Sequence, residues 1–239
     1  MWFGDGVNSQ KSRTMENYWH PLHDKLHSLG NKDDALAMSA YMKNRFEFYG
    51  VKSPQRKAVL KEHWSVFGLP KAGQFEQTIL EGWEYDEREM QYCTMEVLLR
   101  SKKVWPEDMS NLLTRLITSK SWWDTVDFLA GSVVYQWCLR QPHMVEAITR
   151  DWSKSSEMWL NRSAILFQLK AKTETRVDLL AEYILPHIDS SEFFHQKAIG
   201  WALRQYGKFN PDWVTTFVES HDLKPLSERE AMRVIRKSK

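Results

Sequence analysis

Residues 119–127 read SKSWWDTVD, and the rest of the sequence can be interpreted outward from this stretch. Ser121 is followed three residues later by Asp124, which is typical of the first turn of a helix. The apolar residues that follow predict that this helix continues as far as Val134. Two tryptophans and two acids therefore stand at the start of one predicted helix.

The two tryptophans and the two acids have different interpretations. We interpret Trp122 and Asp124 as a core residue and a capping residue. Trp123 and Asp127 are four residues apart, so they lie one turn apart on the same helix face. An indole beside a carboxylate on an exposed face is an unusual grouping, and we expect this pair to be functional.

Similar segments recur at a step of 35 or 36 residues. Residues 155–164 align with 190–199 at a step of 35, and a step of 36 leads back from Ser155 to Ser119. A predicted helix starts at each step, and no convincing period-two strand pattern occurs. The spacing predicts an all-α protein of about a dozen helices. Its fold would be an α-solenoid of HEAT-like helix-pair repeats with a concave surface.

The alignment of these repeats gives equivalent positions. It places Asp127 at the position of Ser163 and Ala198, and Arg162 at the position of Lys197. Small residues suit a packed position, so an acid there needs another explanation. Because stacked repeats bring equivalent positions to one wall, distant residues such as Asp127 and Arg162 are expected to converge.

A basic stripe is predicted on the last long helix, formed by Lys197, Trp201, Arg204 and Lys208 at positions i, i+4, i+7 and i+11. The opposite side of that helix would face the core through Ala198, Ile199, Ala202, Leu203 and Tyr206. A basic stripe with one indole suits the tracking of phosphates. A solvated charged face remains the alternative. Further along, Ser227 with Glu230 predicts a capping box.

Composition excludes several classes of protein. The chain has 239 residues, 42% hydrophobic and 27% charged, with a net charge of +2 at pH 7, as expected of an ordinary globular protein. Its two cysteines, Cys93 and Cys138, form no CxxC motif, and the histidines appear scattered, so we predict no metal site and a reducing compartment. That compartment would be the cytoplasm of a bacterium or the nucleus of a eukaryote. We expect a flexible extension at residues 1–14, one domain over residues 15–239, a monomer and no membrane partner.

Five segments resemble the AlkD family of DNA glycosylases. They read YMKN at residues 41–44, KSWWDTVD at 120–127, WLNRSAILFQLK at 159–170, EFFHQKAIGWALR at 192–204 and PLSERE at 225–230. The resemblance covers the chain from about residue 38 to residue 230. It implies a HEAT-like-repeat fold and excision of positively charged alkylated purines, such as 3-methyladenine and 7-methylguanine, from double-stranded DNA. It also implies that the damaged base stays in the stack rather than being flipped.

The resemblance also implies roles for individual residues. Trp123, Asp127 and Trp201 match the catalytic cleft of the family. Arg162 matches an arginine that contacts DNA, and Tyr41 a residue of the DNA-binding face. Together with the basic stripe, these residues predict the following DNA-binding set: Arg162, Tyr41, Lys170, Lys197, Arg204 and Lys208.

The chemistry of such a reaction needs few groups. Breaking an N-glycosidic bond builds positive charge on the sugar. A cationic alkylpurine leaves as a neutral base, so no general acid is required and one carboxylate suffices. Asp127 would stabilise the sugar cation, position a water, or both. The indoles of Trp123 and Trp201 would attract the same cation, with no metal or other cofactor.

Two alternatives share much of this pattern. A non-catalytic HEAT-repeat scaffold that binds DNA or another protein would have the same fold, basic stripe and tryptophans. It would not need Asp127, because an acid in a phosphate-binding wall weakens binding. A hydrolase of small substrates is the second alternative, but no nucleophile–base pair is evident in the sequence.

Overall fold

The computed structural model describes residues 18–237, so the predicted N-terminal extension at residues 1–14 lies outside the described part of the chain. Residues 18–237 are helical, and the only β-type pairing among them is an isolated bridge between Glu47 and Glu87. The chain forms two compact units that divide between Cys93 and Thr94.

Within its described residues, 18–93, the first unit contains four α-helices and the first residues of a fifth. These are α1 (His20–Ser28), α2 (Lys32–Tyr41), α3 (Ser53–Phe67), α4 (Phe75–Trp83) and the start of α5 (Arg88–Arg100). Leu22 and Leu26 of α1 are buried where this helix packs against α3. The Trp19 indole, also buried, donates to the carbonyl of Thr78 at 2.7 Å.

The loop before α3 is fixed by a buried carboxylate. Glu89 is fully buried and accepts backbone N–H groups of Tyr49, Gly50 and Val51 at 3.0–3.1 Å. Gly50 has a φ of 84°, and a Cβ there would lie 2.0 Å from the carbonyl oxygen of Asn31. Only glycine satisfies both the positive φ and this close approach.

The second unit contains the rest of α5 and nine further α-helices. They are α6 (Ser110–Thr118), α7 (Trp123–Phe128), α8 (Tyr135–Cys138), α9 (Pro142–Lys154), α10 (Met158–Leu166), α11 (Val177–Ile184), α12 (Phe193–Tyr206), α13 (Pro211–Ser220) and α14 (Pro225–Ala231). Helix α10 packs against α7 and α12 as well as against α9 and α11. The unit is therefore a stack of helix pairs, and the predicted all-α repeat fold is confirmed.

The helix that begins in the SKSWWDTVD stretch continues as predicted, but not as one regular α-helix. After α7 the chain forms a π-helix at Leu129–Val134 and then α8. All six residues of the π-helix are buried. π-Helices are rare and are often found at functional sites. This π-helix begins two residues after Asp127, which makes Asp127 a candidate functional residue.

The helix starts correct the predicted alignment of the repeats. Helices α7, α10 and α12 begin at Trp123, Met158 and Phe193, which are 35 residues apart in both steps. Asp127 therefore aligns with Arg162 and Lys197 at the fifth helical position, and the alignment with Ser163 is wrong by one residue. The error arose because the loop between α6 and α7 has one residue more than the loop between α9 and α10.

Candidate functional site

Asp127 and Arg162 form a buried ion pair between α7 and α10. The Arg162 Nε atom donates to Asp127 Oδ1 at 2.7 Å, and Nη2 donates to Oδ2 at 2.8 Å. Only 13% of the Asp127 side chain and 5% of the Arg162 side chain are exposed. The expectation that Asp127 lies on an exposed face is therefore wrong, while the predicted convergence of Asp127 and Arg162 is confirmed.

Arg162 also connects this pair to α12. Its remaining terminal nitrogen, Nη1, donates to the carbonyl of Phe194 at 2.7 Å. The guanidinium carbon lies 5.6 Å from the centre of the Phe194 ring. A planar guanidinium presents its donors in a fixed fork, so three bonds in this geometry fix the position of the Asp127 carboxylate relative to α10 and α12.

Burial dominates the electrostatics of Asp127. It raises the pKa of the Asp127 carboxyl above its ordinary value, and the charge of Asp124 adds to this effect. The hydrogen bonds and the charge of Arg162 act in the opposite direction. The carboxylate is therefore costly to keep ionised, which is typical of an acid with a chemical role.

Aromatic side chains enclose one side of the pair. The rings of Trp122, Trp159 and Phe194 form a cluster with centroid distances of 4.8–5.8 Å. Trp122 precedes α7 in an extended conformation, and its ring joins this cluster while remaining half-buried. Trp123 is the first residue of α7 and is half-buried, one turn before Asp127.

The predicted capping role of Ser121 is wrong. The residue before α7 is Trp122, which provides no side-chain cap, and the Ser121 hydroxyl instead donates back to the carbonyl of Ile117 at 2.6 Å. The Thr125 hydroxyl donates to the carbonyl of Trp122 at 3.2 Å. Ser121 therefore closes the end of α6 rather than opening α7.

The basic stripe of α12 exists, but an acid from α14 is paired with it. Lys197 donates from Nζ to Glu230 Oε1 at 2.9 Å, and Arg204 donates to Glu230 Oε2. Trp201 lies between these two cations along the helix and is half-buried. Lys208 is exposed and donates to Gln205 Oε1 at 2.7 Å. The five residues predicted to face the core are all buried: Ala198, Ile199, Ala202, Leu203 and Tyr206.

Two further predicted DNA-binding residues lie elsewhere. Lys170 is exposed and donates from Nζ to the Ser132 hydroxyl of the π-helix at 2.7 Å, within the second unit. Tyr41 belongs to the first unit, where it is the last residue of α2 and is 68% exposed. It borders a groove of about 310 Å³ that Met38 and Phe48 also line.

Two residues of the site could not be found by sequence reasoning. Phe194 contributes a backbone carbonyl, which has no signature in the sequence. Glu230 was assigned to a capping box with Ser227, but α14 already begins at Pro225 and Glu230 turns to the basic stripe. The 35-residue repeat gave no signal either, because a step of 35 from Lys197 leads to Met232.

The histidines are less scattered than the sequence suggested. His20, His23 and His27 lie along α1, where the rings of His23 and His27 are 6.2 Å apart and the sequence HDKLH forms an HxxxH pair. His23 Nδ1 is hydrogen bonded to the Tyr49 hydroxyl. Within residues 18–237, no group of three or more His, Cys, Asp or Glu side chains is placed to hold a metal ion. The described helices also include none long and apolar enough to cross a membrane.

Comparison with known proteins identifies the family of this chain. A family model described as DNA alkylation repair enzyme matches residues 22–235. A solved structure described as a predicted DNA alkylation repair enzyme from Enterococcus faecalis has 32% identity and a TM-score of 0.80, covering 87% of this chain and 97% of its own. No curated protein matches the chain. The match over most of the sequence shows that this chain belongs to the DNA alkylation repair enzyme family.

Proposed function

We propose that this protein is a DNA glycosylase that hydrolyses the N-glycosidic bond of cationic alkylated purines in double-stranded DNA. The observation that supports this most directly is the Asp127 carboxylate, which is buried and held in place by two hydrogen bonds from Arg162. A DNA-binding scaffold has no use for such an acid, because it repels phosphates and is costly to bury. Family membership supports a role in DNA repair and leaves the reaction to be tested.

Asp127 would act on the sugar rather than on the base. An ionised carboxylate has about four acceptor sites, and the two hydrogen bonds from Arg162 use two of them. The remaining sites can face the developing sugar cation or orient a water that attacks it. The indoles of Trp123 and Trp201 would contribute further attraction to that cation. We propose that the damaged base remains stacked in the DNA during these steps.

The nearest histidine is a poor general acid. His195 follows Phe194 in α12, and burial, together with His187, lowers the pKa of its imidazole to about 4. Both ring nitrogens are occupied, Nδ1 by the Ser190 hydroxyl at 2.8 Å and Nε2 by Asn161 Oδ1 at 3.2 Å. At neutral pH this histidine has no proton positioned for a leaving base, so cleavage would depend on a base that leaves as a neutral molecule.

A release assay on defined lesions tests this proposal. Duplexes of one sequence would carry 7-methylguanine, 3-methyladenine, uracil or hypoxanthine at the same position, and released base would be measured with excess enzyme. We expect release of the two cationic purines and essentially none of the two neutral bases. Efficient excision of uracil or hypoxanthine would overturn the single-carboxylate mechanism, since such bases leave as anions.

Matched variants separate catalysis from binding. Asp127→Asn keeps the size of the side chain and removes its charge, and we expect at least about a tenfold loss of excision with DNA affinity unchanged or higher. Asp124→Asn makes the same chemical change three residues away on α7 and should retain excision. If the Asp127 variant folds and excises normally, the role assigned to Asp127 is wrong.

A further inference from the structure

We propose that Lys197 and Arg204 form a binding site for one backbone phosphate of DNA and that the Glu230 carboxylate occupies this site in the free protein. The inference rests on the proposed function. It adds that competition between Glu230 and a DNA phosphate sets the affinity for undamaged DNA. Lys197 and Arg204 are seven residues apart, two helical turns along the basic stripe. Each is bonded to a different oxygen of the same carboxylate.

The carboxylate resembles a bound phosphate in its contacts. A phosphate diester also has two non-bridging oxygens that share one negative charge, and one can accept from a lysine and the other from an arginine. The Glu230 side chain is 13% exposed, whereas Lys197 is 36% and Arg204 is 22% exposed, so the cations are more accessible from outside than the acid between them. A hydrogen bond from Lys197 lowers the pKa of Glu230, which keeps the carboxylate ionised at neutral pH.

Helix α14 does not depend on this ion pair for its attachment. Ser227 and Ala231 are fully buried, and the Ser227 hydroxyl donates to the carbonyl of Gln196 at 3.2 Å. Gly200 permits close packing, because a Cβ there would lie 2.5 Å from the Glu230 Cβ and 2.9 Å from the Ser227 carbonyl oxygen. These contacts hold the backbone of Glu230 against α12, so the acid is placed at the stripe by packing.

The consequence is a reduced positive charge where DNA would bind. Two cations and one acid leave a single net positive charge at this point of the stripe. A phosphate must displace Glu230 or share the cations with it, and either costs affinity on every sequence alike. Weak binding to undamaged DNA suits a protein that must move along DNA to find lesions.

Affinity for an undamaged duplex, measured across a series of salt concentrations, tests the inference. Glu230→Gln should bind about threefold to tenfold more tightly at low salt, with a salt slope steeper by about one unit, since each added phosphate contact contributes about 0.9. The matched control is Glu228→Gln on the same helix, which frees Arg236 away from the stripe and should leave the slope unchanged. The double variant Lys197→Gln/Glu230→Gln should return the slope to that of the parent.

The outcomes separate the two proposals. Tighter binding by Glu230→Gln alone supports the inference, whatever the excision activity proves to be. Equal slopes for Glu230→Gln and the parent, an equal gain in Glu228→Gln, or no return of the slope in the double variant would overturn it. If Glu230→Gln shows a lower urea midpoint and weaker binding, Glu230 fastens α14 and the inference is wrong. A parent protein that binds no DNA overturns this inference and the proposed function together.

Discussion

Two acids of the second unit pair with cations of neighbouring helices, and burial makes the two arrangements behave differently. Asp127 lies between α7 and α10 with a side chain that is 13% exposed, against an Arg162 that is 5% exposed. Glu230 is equally covered, but its partners Lys197 and Arg204 are 36% and 22% exposed. The environment raises the pKa of Asp127 and lowers that of Glu230.

This difference in the exposure of the cations accounts for the opposite pKa shifts of the two acids. Where both partners are buried, the cost of removing charge from water exceeds the attraction between the partners. Where the cations keep contact with water, the attraction is gained at little desolvation cost. An acid paired with cations of a neighbouring helix therefore has a raised pKa in the buried pair and a lowered pKa in the more accessible one.

The largest effect is expected when the buried pair is broken. Arg162→Gln leaves Asp127 buried without its guanidinium, and we expect the free energy of unfolding at neutral pH to fall by about 3–5 kcal/mol, as for other buried pairs that lose one partner. Urea unfolding followed by tryptophan fluorescence measures this. The double variant Asp127→Asn/Arg162→Gln should lose less than the sum of the two single variants. Strictly additive losses would show that the two side chains are not coupled.

Gly200→Ala disturbs the packing of α12 against α14, beside Glu230, without changing any charge. The added methyl group would lie 2.5 Å from the Glu230 Cβ and 2.9 Å from a backbone oxygen, so α14 must shift. Overpacking of this kind costs about 1–3 kcal/mol. Gly73→Ala is the matched control, because a Cβ at Gly73 meets no atom within 4 Å. Equal unfolding midpoints for Gly200→Ala and the parent would contradict the close packing of α12 and α14.

Periodicity predicted the parts of the structure that depend on packing. The buried side of α12 was identified residue by residue, for example Ile199 and Leu203, because a 3.6-residue repeat of apolar positions directly encodes a buried helix face. The continuation of the helix after Phe128 was also predicted, although its π-helical geometry was not. All six residues of the π-helix are buried, so the sequence has no alternation of apolar and polar positions there that could distinguish a π-helix from an α-helix.

Partner choice was less predictable than packing. Arg162 and Glu230 were interpreted from their local sequence, one as part of a basic surface and the other as part of a capping box. Both find their partners on another helix, at distances that depend on the length of a loop. One extra residue before α7 was sufficient to align Asp127 with Ser163 instead of Arg162, although the convergence of Asp127 and Arg162 was predicted.

The pH dependence of excision should report Asp127 and not Glu230. Because the pKa of Asp127 is raised, its ionised form is lost on acidification at a pH above the ordinary value of about 3.9. The acid limb of single-turnover 7-methylguanine release should therefore lie above that value, after subtraction of spontaneous loss. Glu230→Gln should leave the position of this limb unaltered, since the pKa of Glu230 is lowered. If the acid limb moves in Glu230→Gln, the titrating group is Glu230 and the assignment to Asp127 is wrong.

The smallest effects are expected from single substitutions in the basic stripe. The change in the salt slope of DNA binding should be smaller for a cation that Glu230 neutralises than for one that it does not. Lys208 is exposed and donates to the neutral Gln205, so Lys208→Ala should flatten the salt slope of DNA binding by about 0.9. Arg204→Ala should flatten it less, because its charge is already balanced by Glu230. Lys154→Ala, an exposed lysine of α9 outside the stripe, is the control. A larger loss in Arg204→Ala than in Lys208→Ala would mean that DNA displaces Glu230 completely, so that the arginine acts with its full charge in the complex.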